Sequence, residues 1–133
     1  MQSSLLNPGW LAGLFDACGW LGISNTFRPS LYICFRSRHR ETFAFPCHNE
    51  EGWRHPIGVE TRGVWWHWEV HGERVLEILQ AIRDFSPVNK SIAEAGLALL
   101  EHEKQYDTDP RAILIGRKIA EKISEVSDRD YPI

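Results

Sequence analysis

The sequence predicts an α+β domain, a four-stranded antiparallel sheet backed by helices, in the order helix, two strands, a loop, two strands and three helices. Three observations predict it. The stretch from Asn7 to Ile23 opens with helix-start residues and carries apolar residues at helical spacing. Two later segments, Leu31–Arg38 and Val64–His71, alternate with a period of two. The second half of the chain returns to helical periodicity three times. The 133 residues suffice for one domain with its own core and not for two.

Taken in order, Asn7 can cap the first free backbone N–H groups of a helix, and Pro8 suits its first position. Gly19 is expected to close that helix in a left-handed turn. Leu11, Leu14, Phe15 and Cys18 follow an i, i+3, i+4, i+7 pattern and should face the core. Gly9, Gly13 and Ala17 form a second stripe with almost no side chain. Two glycines inside a short helix cost roughly 1 kcal/mol each relative to alanine, a cost accepted where another backbone must come close. The alternative is an ordinary buried helix with two unfavourable glycines.

Trp20–Asn25 reads as a strand with Leu21 and Ile23 on one face, followed by a turn through Pro29. In Leu31–Arg38, Leu31, Ile33 and Phe35 point one way, and Tyr32, Cys34, Arg36 and Arg38 the other. Residues 39–56 carry two prolines and no sustained period, and read as a loop. Ile57–Arg62 and Val64–His71 form a hairpin with Gly63 in the turn. Here Val64, Trp66, Trp68 and Val70 alternate with Trp65, His67 and Glu69, so that one row fills the core and the other looks outward. Glu73–Phe85 is an amphipathic helix ended by Ser86-Pro87. Lys90–Gln105 is another, and a last helix runs from Pro110, capped by Asp109 or Thr108, to about Val126.

The letters of the first helix add to this pattern. Leu11-Ala12-Gly13-Leu14-Phe15-Asp16-Ala17-Cys18-Gly19 resembles the signature of the LAGLIDADG homing endonucleases, differing at Phe15 and Cys18. The element order is similar to the single-motif homodimeric branch of that family found in chloroplast introns. The resemblance implies a saddle-shaped sheet, concave toward DNA, and a homodimer whose signature helices meet along a two-fold axis through Gly9, Gly13 and Ala17. One motif cannot supply both helices, and a symmetric dimer should prefer a pseudo-palindromic duplex. The residues expected on the DNA are Arg28, Tyr32, Arg36, Arg38, Arg40, Arg62, Trp65 and His67.

In the family, the acid before the final glycine binds the divalent metal at the scissile phosphates. Cys18 holds that position here, and a thiol is a poor partner for Mg²⁺, which demands hard oxygen donors. Lys90 is the candidate for the basic residue that assists at the catalytic pocket. Asp16 carries the right group two residues away, but about 200° around the helix. The resemblance therefore implies a sequence-specific DNA-binding homodimer in which Mg²⁺-dependent phosphodiester hydrolysis is weak or lost. The alternatives are an active endonuclease using another carboxylate such as Asp16 or Glu60, an intron RNA-binding maturase, and a protein-interaction module that binds no nucleic acid. Cys47-His48 with Cys34 or His55 lacks the paired spacing of a metal site.

Composition sets the remaining bounds. A hydrophobic content of 43% with 25% charged residues is that of an ordinary soluble domain. No apolar run reaches the roughly 20 residues that cross a bilayer. The N-terminus lacks the basic start of a signal peptide, and three cysteines make no disulfide framework, so an intracellular site, in cytoplasm, nucleoid or an organelle, is expected. The net charge of −3 is unevenly placed: Phe27–Arg40 holds four arginines and no acids. An acidic chain that segregates its positive charge still presents a basic face.

Overall fold

A computed structural model of the chain describes residues 7–43, 45–46, 53–54 and 59–127. Helix α1 spans Pro8–Cys18, and Asn7 Oδ1 accepts a hydrogen bond from the Trp10 backbone N–H at 3.0 Å. Strands β1 (Gly19–Ser24) and β2 (Ser30–Ser37) pair antiparallel with Leu21 opposite Ile33. A single 3-10 turn at Arg40–Phe43 and a short pair, β3 (Phe45–Pro46) with β4 (Trp53–Arg54), follow in the region read as a loop. The second hairpin is β5 (Val59–Arg62) and β6 (Trp65–Val70), and the chain ends in helices α2 (Glu73–Phe85), α3 (Lys90–Glu103) and α4 (Pro110–Ser127). The main sheet is antiparallel, in the order β1-β2-β6-β5. The fold is α+β, as the sequence predicts.

One core lies between the sheet and the helices. Leu21, Leu31, Ile33, Phe35, Trp68 and Val70 supply the sheet side, and Leu11, Phe15, Ile78, Leu79, Ile82, Leu99 and Ile123 the helix side. Aromatic rings join α1 to the sheet. Phe15 meets Phe35 edge-on at 6.2 Å, Phe35 stacks on Trp68 at 4.9 Å, and Trp10 reaches Trp68 at 6.4 Å. Such ring pairs add about 0.5–1.5 kcal/mol each beyond the area they bury.

Two expectations are corrected. Gly19 does not turn left-handed; its φ of −107° and ψ of 161° are extended and start β1 directly. Glycine is needed there for closeness, because a Cβ would stand 2.7 Å from Phe15 Cδ1 and 2.9 Å from Phe15 Cα. Val64 does not fill the core row but sits in the β5–β6 turn, 69% exposed, beside Gly63, whose φ of 66° accounts for the glycine.

The β1–β2 turn is fastened to the helix layer. Asn25, with φ of 58°, accepts from the backbone N–H groups of Phe27 and Arg28. Arg117 Nε donates to the Phe27 carbonyl at 2.7 Å, Tyr106 Oη donates to the Pro29 carbonyl at 2.8 Å, and Arg28 pairs with Asp107.

A second fastening holds the end of α1. Asp16 Oδ1 accepts from Ser86 Oγ at 2.7 Å and from Asn89 Nδ2 at 2.6 Å, so the α2–α3 turn is bonded to α1. Ser86 and Asn89 are both buried, and Asp16→Ala deprives them of this acceptor. The expected loss is about 2 kcal/mol, read as a lower urea midpoint at unchanged m-value. An unaltered midpoint would show that these bonds carry no net stability.

Candidate nucleic-acid interface

The helices share a single core on one side of the sheet, and the register of the strands decides what stands on the other. Cys34 lies between Trp20 and Glu69, Arg36 is opposite His67, His67 is opposite Glu60, and Trp65 is opposite Arg62. Side chains alternate along each strand, so these residues share the outer face with Tyr32. Of the eight residues predicted to meet DNA, six lie there: Tyr32, Arg36, Arg38, Arg62, Trp65 and His67.

Trp65 organises the positive charge. The Arg36 guanidinium lies 4.6 Å from the centre of its ring and the Arg38 guanidinium 5.0 Å, while Arg36 also approaches Trp20 at 5.9 Å. Cation–π contacts of this kind contribute about 0.5–1 kcal/mol at exposed sites. A guanidinium can stack on an indole and keep its planar fork of donors; Arg36 is half-buried with its Nε out of solvent, whereas Arg38 is exposed. Arg62 is held differently, 3.4 Å from Glu60 and 3.6 Å from Glu69. Among the described residues, three arginines (Arg36, Arg38 and Arg62) against two glutamates (Glu60 and Glu69) leave this face one positive charge in surplus.

Its other polar groups are neutral near pH 7 or paired. Burial lowers the His67 pKa, and the charges of Arg62 and Arg36 lower it further against the pull of Glu69 and Glu60, so its imidazole stays uncharged. His71 bonds Glu69 at 3.0 Å and stacks on Tyr32 with ring centres 5.3 Å apart. Burial, with smaller effects from Glu69 and Cys34, raises the Tyr32 pKa and keeps that phenol protonated. Cys34, expected on an exposed row, is 3% exposed.

The remaining predicted residues are dispersed. Arg28 lies in the turn before β2, whose first residue, Ser30, is about 20 Å along the strand from Arg36, and is engaged by Asp107 and by the Tyr106 ring at 5.7 Å. Arg40 covers Trp66 at 5.3 Å, and Trp66 faces the helix side of the sheet. Neither joins the cluster on Trp65. Sequence reasoning passed over Trp20 and His71, although the alternation of Trp20, Gly22 and Ser24 opposite Tyr32 and Cys34 was the available signal.

At the position where the family resemblance implies a metal ligand, Cys18 is half-buried at the end of α1. Burial pushes its pKa up to about 11, with a backbone hydrogen bond from Arg36 opposing only part of the rise. A protonated thiol does not fit Mg²⁺. Asp16 Oδ1 is committed to Ser86 and Asn89. Glu60 stands on β5, three strands from β1 and hence about 14 Å across the sheet. Lys90 is exposed at the first position of α3, next to Asn89 and so near the end of α1. Among the described residues no group of three His, Cys, Asp or Glu side chains converges on one point. Cys47, His48 and His55 lie outside the described residues.

On the outward side of α1, Gly9, Gly13 and Ala17 are all exposed. A Cβ on Gly13 would meet nothing within 4 Å, so no contact among the described residues accounts for that glycine. Phe85 and Val88, 57% and 85% exposed, flank Ser86 in the turn that Asp16 holds. Among the described residues no helix is long and apolar enough to cross a membrane. No protein-family model matches the chain, and no curated protein is significantly similar to it.

The raised Cys18 pKa has a direct chemical consequence. The thiolate, which attacks alkylating reagents, is a small minority of the thiol below that pKa. Peptide-resolved alkylation of Cys18 by iodoacetamide should be slow at pH 8 and climb up to and beyond pH 10. A rate that levels off near pH 8.5 would mean an ordinary exposed thiol.

Proposed function

We propose that the protein is a sequence-specific double-stranded-DNA-binding homodimer with the architecture of the LAGLIDADG homing endonucleases, and that its phosphodiester cleavage is weak or lost. The observation that carries this reading is the outer sheet face, clear of the helices, where Arg36 and Arg38 are fixed on Trp65. A two-stranded antiparallel ribbon, such as the β2–β6 pair that carries these residues, fits the roughly 12 Å major groove. Its arginines are preset for phosphates and guanine edges, and Tyr32 and Arg62 extend the surface across the sheet.

The dimer is supported by Gly13, whose outward side is open, within a stripe of exposed small residues on α1. Two such stripes placed backbone to backbone would form a two-fold interface. Phe85 and Val88 would add apolar cover at its margin. The loss of cleavage is supported by the protonated Cys18, by the engagement of Asp16 in the α2–α3 turn and by the remoteness of Glu60. No reaction step is assigned to a metal, because the donors near Cys18 do not suit one.

Selection of bound duplexes from a random library tests the whole reading. A pseudo-palindromic sequence should be enriched and remain uncut in Mg²⁺. No enrichment, or a preference for structured intron RNA over every duplex, would replace DNA as the partner.

Two variants test its parts. Arg36→Ala combined with Arg38→Ala should lower duplex affinity and reduce the slope of log K against log salt by up to about 1.8, two phosphate contacts' worth. An unchanged slope would move the contact surface elsewhere. Gly13→Leu places a branched side chain on the stripe and should raise the dimer dissociation constant at least about tenfold, that is by about 1.4 kcal/mol. A variant that sediments as the parent dimer does would rule out this interface.

A further inference from the structure

The helix side of the molecule carries a feature that the nucleic-acid reading does not use. Where the first turn of α2 lies beside the last turns of α3, a cavity of about 600 Å³ opens to solvent. That size is typical of small-molecule sites. Its apolar wall is formed by Leu31, Leu76, Leu97 and Leu100. Leu76 remains 40% exposed, although Val75, Ile78, Leu79 and Ile82 on the same helix are buried.

The charges around the cavity do not balance. Lys104 is paired with Glu101 at 3.0 Å, and Arg83 with Asp84 at 2.9 Å. Glu73 and Glu103 line the same cavity, and no described cation pairs with either. Glu73 stands in the first turn of α2, where the positive end of the helix dipole favours an acid. Glu103 is the last residue of α3, at the negative end, where an acid is disfavoured. Its Oε2 accepts a long bond from Ser30 Oγ, 3.3 Å, and its Oε1 is buried without a hydrogen-bond donor among the described residues. The cavity borders this carboxylate.

We infer that this cavity binds a small amphiphilic amine, with its ammonium on Glu103 and its hydrocarbon body against Leu31, Leu76, Leu97 and Leu100. A cation supplies the donor that Glu103 lacks, in a charge-assisted bond of the strong kind. The apolar body covers the leucines that the fold leaves bare. Anionic ligands are turned away by the same two carboxylates. The volume suits a compact molecule rather than a folded partner.

Dansylcadaverine, a primary ammonium on an apolar fluorescent body, is the probe. It should bind with enhanced, blue-shifted emission and shift the amide resonances of Leu76, Leu97, Leu100 and Glu103. Dansylamide, which lacks the ammonium, should bind about tenfold more weakly. Glu103→Gln should abolish that preference with the circular dichroism unchanged. Equal binding of the two dyes, a Glu103→Gln protein that keeps the preference, or resonance shifts confined to other regions would overturn the inference. So would a lysine-bearing apolar peptide that binds about tenfold tighter than the dye, since the occupant would then be a protein segment.

Discussion

The contact on which the molecule depends is the line of rings from Phe15 through Phe35 and Trp68 to Trp10. It presses one side of α1 against the two central strands and so decides which side looks out. Once Leu11, Leu14 and Phe15 are committed to the core, the helical period leaves Gly9, Gly13 and Ala17 facing solvent. The same rings bring the end of α1 so near the sheet that only glycine fits at position 19, and the chain passes from helix to strand without a loop. Position 18 is thereby fixed at the seam between helix and sheet. Partial burial there keeps the thiol protonated.

Electrostatics follow from the layering. The described helices α1 to α4 share one core on one side of the sheet, and the polar row on the other side holds aromatic rings as rests for arginine. Trp65 holds two guanidiniums within about 5 Å, which limits their search through rotamers before any partner arrives. Glu60 and Glu69 temper Arg62, so the positive field is strongest at the Arg36–Arg38 corner. An overall charge of −3 is thus compatible with a locally basic surface.

Much of this was legible in the residues. Asn7 and Pro8 mark the start of α1, the alternation in Leu31–Arg38 gives the two faces of β2, and Glu73–Phe85 matches α2 at both ends. These are local signals with one dominant period each. What stayed hidden depends on partners distant in sequence. The Asp16 bonds to Ser86 and Asn89 span some seventy residues, and no local pattern encodes them. Arg28 and Arg40 looked like members of one basic run. Yet the β1–β2 turn and the 3-10 turn after β2 carry them to opposite ends of β2, where Asp107 and Trp66 hold them. Gly19 was read for handedness when closeness was the requirement, because a one-dimensional pattern does not show what approaches a backbone. Val64 obeyed the alternation of β6 but fell inside the turn, where hairpin geometry overrides period.

The fastening of the β1–β2 turn divides the sheet into an immobile corner and a permissive one. Backbone carbonyls at Phe27 and Pro29 are held by Arg117 and Tyr106, so an added or deleted residue there would break bonds to α4 and to the α3–α4 turn. At the opposite corner Gly63 and Val64 project into solvent with no such tether among the described residues. Insertions and new side chains are therefore tolerated better at the β5–β6 end than at the β1–β2 turn.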